Sequence, residues 1–442
     1  MRLFVVLLAF FALTAARPVA LTGVTIIDGT GAPPRPGMSV ILEGERIADV
    51  FPDGDRPLPA GAERIDLTGR FLIPGLVSAH DHMMQRGLGE SPERAHAELR
   101  RLLYAGVTTT RDMAGDARLL RPLRDALRNG DIEGPDLHYS ALMAGPDFIA
   151  ADPRVGRASA GMERGTAPWV QTVSRDTDAD AAVERAAATG ASAIKVYVGV
   201  EADVIARIVR AAHARGLPVF AHTTVFPDRP IDVVGAGVDS VSHLCWAAWQ
   251  DADLDPASNV PYTHIPPPDP RPSFDPARVE PDSPEMTALF AEMARRRVVF
   301  DVTLSAYRPG PGAERGCTPA LMAALARAAA AAGVPLATGT DWFTPEADPF
   351  PSVIVEIETL VERGVLTPLG AIEAATRNGA RLLRLEDEQG TIAPGMLANL
   401  VVLRENPAAD IGALRSVETV IKRGRFYPRA GYEAGAAAAA ER

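Results

Sequence analysis

Two histidines, His80 and His82, stand at i and i+2 where the short apolar run 72–79 ends. Along a β-strand that spacing puts both rings on one face, and two convergent imidazoles begin a site for a divalent transition metal. Two polar residues that merely close a strand have the same pattern, so the pair alone does not decide between them. Further donors lie downstream at His222, His243 and Asp341. Four imidazoles and a carboxylate form a nitrogen and oxygen set suited to zinc or a similar divalent ion. They are too many for one tetrahedral site, which implies two ions.

Lysine usage adds a sixth residue. Of 45 basic residues only Lys195 and Lys422 are lysine, and the rest are arginine. A guanidinium stays protonated and cannot be carboxylated, whereas an amine can. Carboxylation by carbon dioxide would turn Lys195 into an anionic carbamate whose two oxygens can bridge two ions. A barrel-interior lysine paired with a carboxylate is the alternative. Lys422, beside Arg423, reads as a solvent-facing strand charge.

The elements that must position these residues follow from the pattern between them. Residues 71–385 alternate short apolar runs with helical stretches, the mark of repeated βα units. Eight runs (71–79, 107–111, 136–142, 193–198, 218–221, 240–242, 298–304 and 335–338) predict an α/β fold, a (β/α)8 or TIM barrel. Several intervening helices end in glycine, as helix C-caps do: Gly190, Gly216, Gly333 and Gly364. On this map His80, His82, Lys195, His222, His243 and Asp341 fall on five strands at the C-terminal rim, where barrel enzymes keep their active sites. Residues 17–70 and 386–430 carry short β-type runs with turn residues. They are expected to complete each other as one small discontinuous β-sandwich domain built from both chain ends.

Composition bounds the function. The chain has 442 residues, 47% of them hydrophobic and 23% charged, and a net charge of -11. It can bury a large core, and it carries no basic stripe for nucleic acid. A small-molecule or short-peptide substrate is the expected partner. Residues 1–16 have one charge, an apolar centre and small residues before Arg17-Pro18, the shape of a signal peptide. A periplasmic or secreted protein is therefore expected, with no membrane span after signal removal. The Ala-rich tail 431–442 is expected to be disordered. Cys245 and Cys317 form no metal motif and are expected to be two unpaired thiols, a disulfide requiring export.

Two connections are long, 145–175 and 246–282, and loops of that length tend to be lids or pocket walls. Trp246, Trp249 and Tyr262 line a pocket or anchor their loop. His96 and His213 read as helix surface or packing residues, His138 as an outer neighbour of the site, and His264 as a pocket candidate. Arg86, Arg111 and Arg308 could each clamp a substrate carboxylate.

The motifs together resemble the amidohydrolase superfamily, in the branch of imidazolonepropionase-like proteins and carboxylated-lysine dipeptidases and carboxypeptidases. The stretches that carry the resemblance are Ile73-Pro74-Gly75-Leu76-Val77-Ser78-Ala79-His80-Asp81-His82, Val107-Thr108-Thr109-Thr110-Arg111-Asp112 and Ile194-Lys195-Val196-Tyr197. Thr338-Gly339-Thr340-Asp341, Ala375-Thr376-Arg377-Asn378-Gly379-Ala380 and the closing run 390–400 add to it. The resemblance implies that His80 and His82 hold one ion, His222 and His243 the other, and a carboxylated Lys195 bridges them. It also implies that Asp341 binds the first ion and serves as the catalytic base and then acid. The activity implied is attack of a metal-bridging hydroxide on a carbonyl carbon, cleaving an amide-type C–N bond. Ester or lactone hydrolysis by the same centre, and a non-catalytic binding protein on this fold, are the alternatives. Three positions depart from the family pattern: Asn399 stands for a usual Asp, Arg384 for a common Gly, and Asp301 has no expected role. The fifth-strand histidine also lacks a nearby tyrosine that some dipeptidases use on substrate.

Overall fold

The computed structural model describes residues 17–83, 92–251, 278–306, 317–341, 344 and 348–432. Residues 1–16 and 433–442, and with them Arg86, Tyr262, His264 and Arg308, lie outside the described residues.

Eight parallel strands form the barrel: Leu76–Asp81, Val107–Asp112, Asp136–Ala144, Ala193–Val196, Val219–His222, Ser240–Ser242, Val299–Asp301 and Leu336–Ala337. Each pairs with the next in chain order. The Ala79 N–H donates to the Thr338 carbonyl at 2.9 Å, joining the last strand to the first. Helices cover the outside because each carries one apolar stripe. The helix Ala117–Asn129 buries Ala117, Leu120, Leu123 and Leu127. It is capped by the Asp116 carboxylate at its start and by left-handed Gly130 at its end. Inside the barrel a second, smaller core gathers Val77, Ala79, Ala193, Phe220, Val299 and Ala337.

The run expected as one strand over 71–79 is two strands in two sheets. Phe71–Pro74 pairs antiparallel with Leu400–Leu403 in the small domain, while Leu76–Asp81 enters the barrel. Gly75 makes the crossing, since a Cβ there would meet the Thr108 Oγ1 at 2.1 Å. The small domain is an eight-stranded sheet from both chain ends, around a core that includes Leu21, Val24, Val40, Leu72, Leu400 and Val402.

Two expectations are corrected here. Lys422 is not solvent-facing: its ammonium is buried against the barrel, donating to the Gly134 carbonyl at 2.8 Å and lying 3.2 Å from Asp136 Oδ1. Its neighbour Arg423 suggested a solvent-facing charge, but Gly134 and Asp136, at the start of the third barrel strand, lie against the Lys422 side chain. Cys245 and Cys317 are not free thiols but a disulfide, with Cα atoms 5.7 Å apart. The fold brings the segments after the sixth and seventh strands side by side, which no sequence spacing of 72 residues discloses.

Candidate metal centre

The six residues named from sequence converge on the C-terminal mouth of the barrel. His80 and His82 leave the first strand, and their Nε2 atoms approach one oxygen, Asp341 Oδ1, at 3.6 and 2.8 Å. The donor atoms of this trio all lie within 4.8 Å of one another, so they could hold a metal ion. His222 ends the fifth strand and His243 follows the sixth, with ring centroids 4.7 Å apart. The His243 ring is also 4.7 Å from the His80 ring. Lys195 ends its reach 3.5 Å from Ser242 Oγ. His80, His82, Lys195, His243 and Asp341 all line one cavity.

The outer hydrogen bonds set the ring orientation. His80 Nδ1 is 2.6 Å from an oxygen of Asp301, and His222 Nδ1 is 3.1 Å from the Thr224 carbonyl. A carboxylate and a carbonyl only accept, so in both rings Nδ1 carries the proton and Nε2 keeps a lone pair. His243 Nδ1 pairs with the Thr303 hydroxyl at 3.0 Å. Backbone strain accompanies this placement, for His243, Thr303 and Asp341 all take positive φ, at 74, 49 and 49°. Such conformations cost about 1–3 kcal/mol each and gather at functional sites.

Burial tunes the charges. It pushes the His80 imidazole below its ordinary value, and His222 and His243 well below. Neutral rings with outward lone pairs are the form that binds metal. Burial alone would raise Asp341, but attraction to the facing rings of His243 and His80 whenever they carry a proton, with the hydrogen bond and charge of His82, outweighs it and holds the carboxyl well below the usual range. Lys195 is pushed down to about 7, first by burial and then by the nearby Arg111 cation. The donor set therefore fits divalent metal: lone pairs, one anion, and an amine that is not obliged to stay protonated.

Other assignments are settled by position. Arg111 is not a substrate clamp. It is fully buried inside the barrel, stacked 4.2 Å over Phe220 and paired with Asp301 at 3.1 Å. Trp246 and Trp249 anchor their segment: both are buried and edge against Phe226, and Trp246 also packs on His222. His138 sits beside Asp136 and Arg423, among the groups that join the two domains. His213 pairs with Asp239, which also takes the guanidinium of Arg384. Arg384 itself has φ 57°, which explains why glycine suits that position.

The connection 145–175 walls the cavity, as its length led one to expect, while the residues it contributes, and with them the parts played by Tyr197, Asp301 and Thr303, were not named from sequence. Tyr197, two residues beyond Lys195, lines the cavity with its ring 4.7 Å from Phe148. The connection after the third strand folds into the helices Pro146–Ala151 and Pro153–Ala158, which bring Phe148, Arg154, Val155 and Ala158 to the cavity. Two Pro residues at helix starts were the available signal. Asp301, noted from sequence without a role, and Thr303 pair with His80 and His243 from behind, and nothing local discloses those partners.

Comparison with known proteins agrees with this architecture. A family model described as the amidohydrolase family matches residues 71–426. The imidazolonepropionase of Saccharopolyspora erythraea is 25% identical over 385 residues, covering 83% of this chain and 86% of that protein. That of Micrococcus luteus is 25% identical, covering 84% and 88%. A solved Xaa-Pro dipeptidase with bound methionine in its active site superposes with a TM-score of 0.70 at 23% identity, covering 93% of this chain and all of that one. Molinate hydrolase gives 0.70 at 21%, covering 94% and 96%. With its barrel, its rim of donors and a match over residues 71–426, the chain belongs to the amidohydrolase family, hydrolases of carbon–nitrogen bonds.

Proposed function

We propose that the protein is a binuclear metal-dependent hydrolase that cleaves an amide-type C–N bond in a small molecule or short peptide. The observation that carries this is the convergence of His80 and His82 on one oxygen of Asp341, with Lys195, His222 and His243 beside them. His80, His82 and Asp341 would hold the first ion and His222 and His243 the second, and a carboxylated Lys195 would supply oxygen ligands to both. Bound divalent ions, zinc by ligand type, would supply Lewis acidity toward a carbonyl oxygen and an ionised water near neutral pH. The lowered Lys195 supports the carbamate: its neutral amine lone pair forms the N–C bond to carbon dioxide, and one proton leaves to solvent. Asp341, ionised at neutral pH, takes the proton of the attacking water and returns it to the leaving nitrogen.

The cavity wall supports a substrate with an apolar group next to an anion. Leu142, Phe148, Val155 and Ala158 form one side, and Arg154 stands among them, held bidentately by Asp152. The relatives' names, imidazolonepropionase and Xaa-Pro dipeptidase, fit a cyclic amide or a dipeptide. Dipeptides, N-acyl amino acids, cyclic amides and lactones assayed with zinc-loaded protein test the reading. Turnover of a C–N substrate is expected. Turnover of lactones alone would favour the ester reading, and no turnover with full metal occupancy would favour a binding protein. Export is part of the proposal, supported by the pattern of residues 1–16 and by the Cys245–Cys317 pair. The mature protein should begin near Arg17.

A further inference from the structure

Asp301 ends the seventh strand, is fully buried and is not among the residues that line the cavity. Its Oδ2 nevertheless gathers partners from three other strands. It lies 2.6 Å from His80 Nδ1 and accepts from Ser242 Oγ at 3.0 Å and from Arg111 Nη2 at 3.1 Å. Ser242 Oγ is in turn 3.5 Å from Lys195 Nζ. One carboxylate thus touches a ring of the first imidazole pair directly and reaches the amine between the two pairs through a single hydroxyl. Room for it is made by Gly339, where a Cβ would stand 2.3 Å from Asp301 Oδ1 and 2.5 Å from the His80 Cβ. Arg111 supplies the countercharge, stacked on Phe220 and donating also to the Ala79 carbonyl.

A fully buried ion pair is often no better for stability than apolar residues of the same volume, so stability alone is a weak reason for a charge beside the apolar cluster of Val77, Ala193, Phe220 and Ala337. We propose that Asp301 is the positioning residue of the centre. It fixes His80 in the Nδ1–H tautomer with Nε2 toward Asp341, and through Ser242 it holds the Lys195 amine in place. The assignment rests on the reading that His80 and Lys195 serve metal. Carboxylates placed behind metal-binding imidazoles are worth about 10–100-fold in affinity.

Zinc binding by competition with a chromophoric chelator, on wild type, Asp301→Asn and Ser242→Ala, tests it. Asp301→Asn should weaken one of two zinc positions about 10–100-fold and leave the other occupied, with the far-UV dichroism of the metal-free protein unchanged. Ser242→Ala, which keeps both charges, should show a smaller, several-fold loss. Wild-type zinc affinity in Asp301→Asn, or a lowered melting temperature of the metal-free protein with affinity intact, would overturn the assignment. Should Asp301→Asn fail to fold because Arg111 is left unpaired, the double variant Arg111→Met/Asp301→Asn removes both charges. The same zinc loss is then expected, and unchanged affinity overturns the proposal. Wild-type protein that takes up no zinc would contradict the metal reading itself, a distinguishable failure.

Discussion

The chain's two lysines are both buried, and their surroundings set them different tasks. Lys195 lies near the Arg111 cation and, among the described residues, hydrogen-bonds only the Ser242 hydroxyl and no carboxylate, so its amine is left able to lose its proton. Lys422 meets two carbonyls and a carboxylate, so its ammonium is solvated by the protein. Lys195→Arg should leave the fold intact and remove tight metal binding, read by metal content. Lys422→Arg should keep metal and lower stability by about 1–3 kcal/mol, the cost of leaving buried partners unmet, read by denaturant unfolding. At the cavity wall, Arg154→Met should raise KM for a carboxylate-bearing substrate about tenfold or more with kcat little changed, because a ground-state anchor is lost. These residues were legible to different degrees. Lys195 stood out by composition, and His80-Asp81-His82 by spacing. Asp301 was visible as an unexpected residue but its role was not, because its partner His80 is 221 residues away.

Strand ends and the segments just after them carry the candidate donors, and two features brace them. The disulfide ties the segment Leu244–Gln250, which follows His243, to the start of the helix Pro319–Ala331. Cys317→Ser should lower stability by about 2–4 kcal/mol, and dithiothreitol should produce the same loss in wild type. Glu356, on the helix Ser352–Glu362, accepts the N–H groups of Leu304 and Ser305 at 2.8 and 2.6 Å, next to the Thr303 that holds His243. Burial pushes its carboxyl from an ordinary 4.5 to about 7. The folded form therefore holds a proton that the unfolded chain has lost, and this contribution is complete below 4.5 and lost as pH rises through 7. Stability profiles of wild type should accordingly fall more steeply over that window than those of Glu356→Gln. A parallel slope in the variant would contradict the assignment. The sequence placed the barrel strands well, since buried parallel strands read as apolar runs. It could not divide 71–79 into two strands, because both halves are apolar and only the close approach of Thr108 to Gly75 shows where the chain changes sheets.

At the scale of the molecule, a barrel closed by the Ala79–Thr338 hydrogen bond holds five strand ends at fixed spacing. The small sheet from both chain ends packs beneath it, with Lys422 and Arg423 meeting Asp136. This architecture followed from the alternation of apolar runs and helices, which is a whole-chain property. The pairing of Cys245 with Cys317 and the burial of Lys422 did not, because each depends on which distant surface lands on which. The central claim is that the rim holds two divalent ions bridged through Lys195. Its most direct measurement is elemental metal content after reconstitution with zinc and bicarbonate, on wild type and Lys195→Arg side by side. The account predicts about two ions per wild-type chain and a clear loss in the variant. Equal content in the two, or none in wild type, would contradict it.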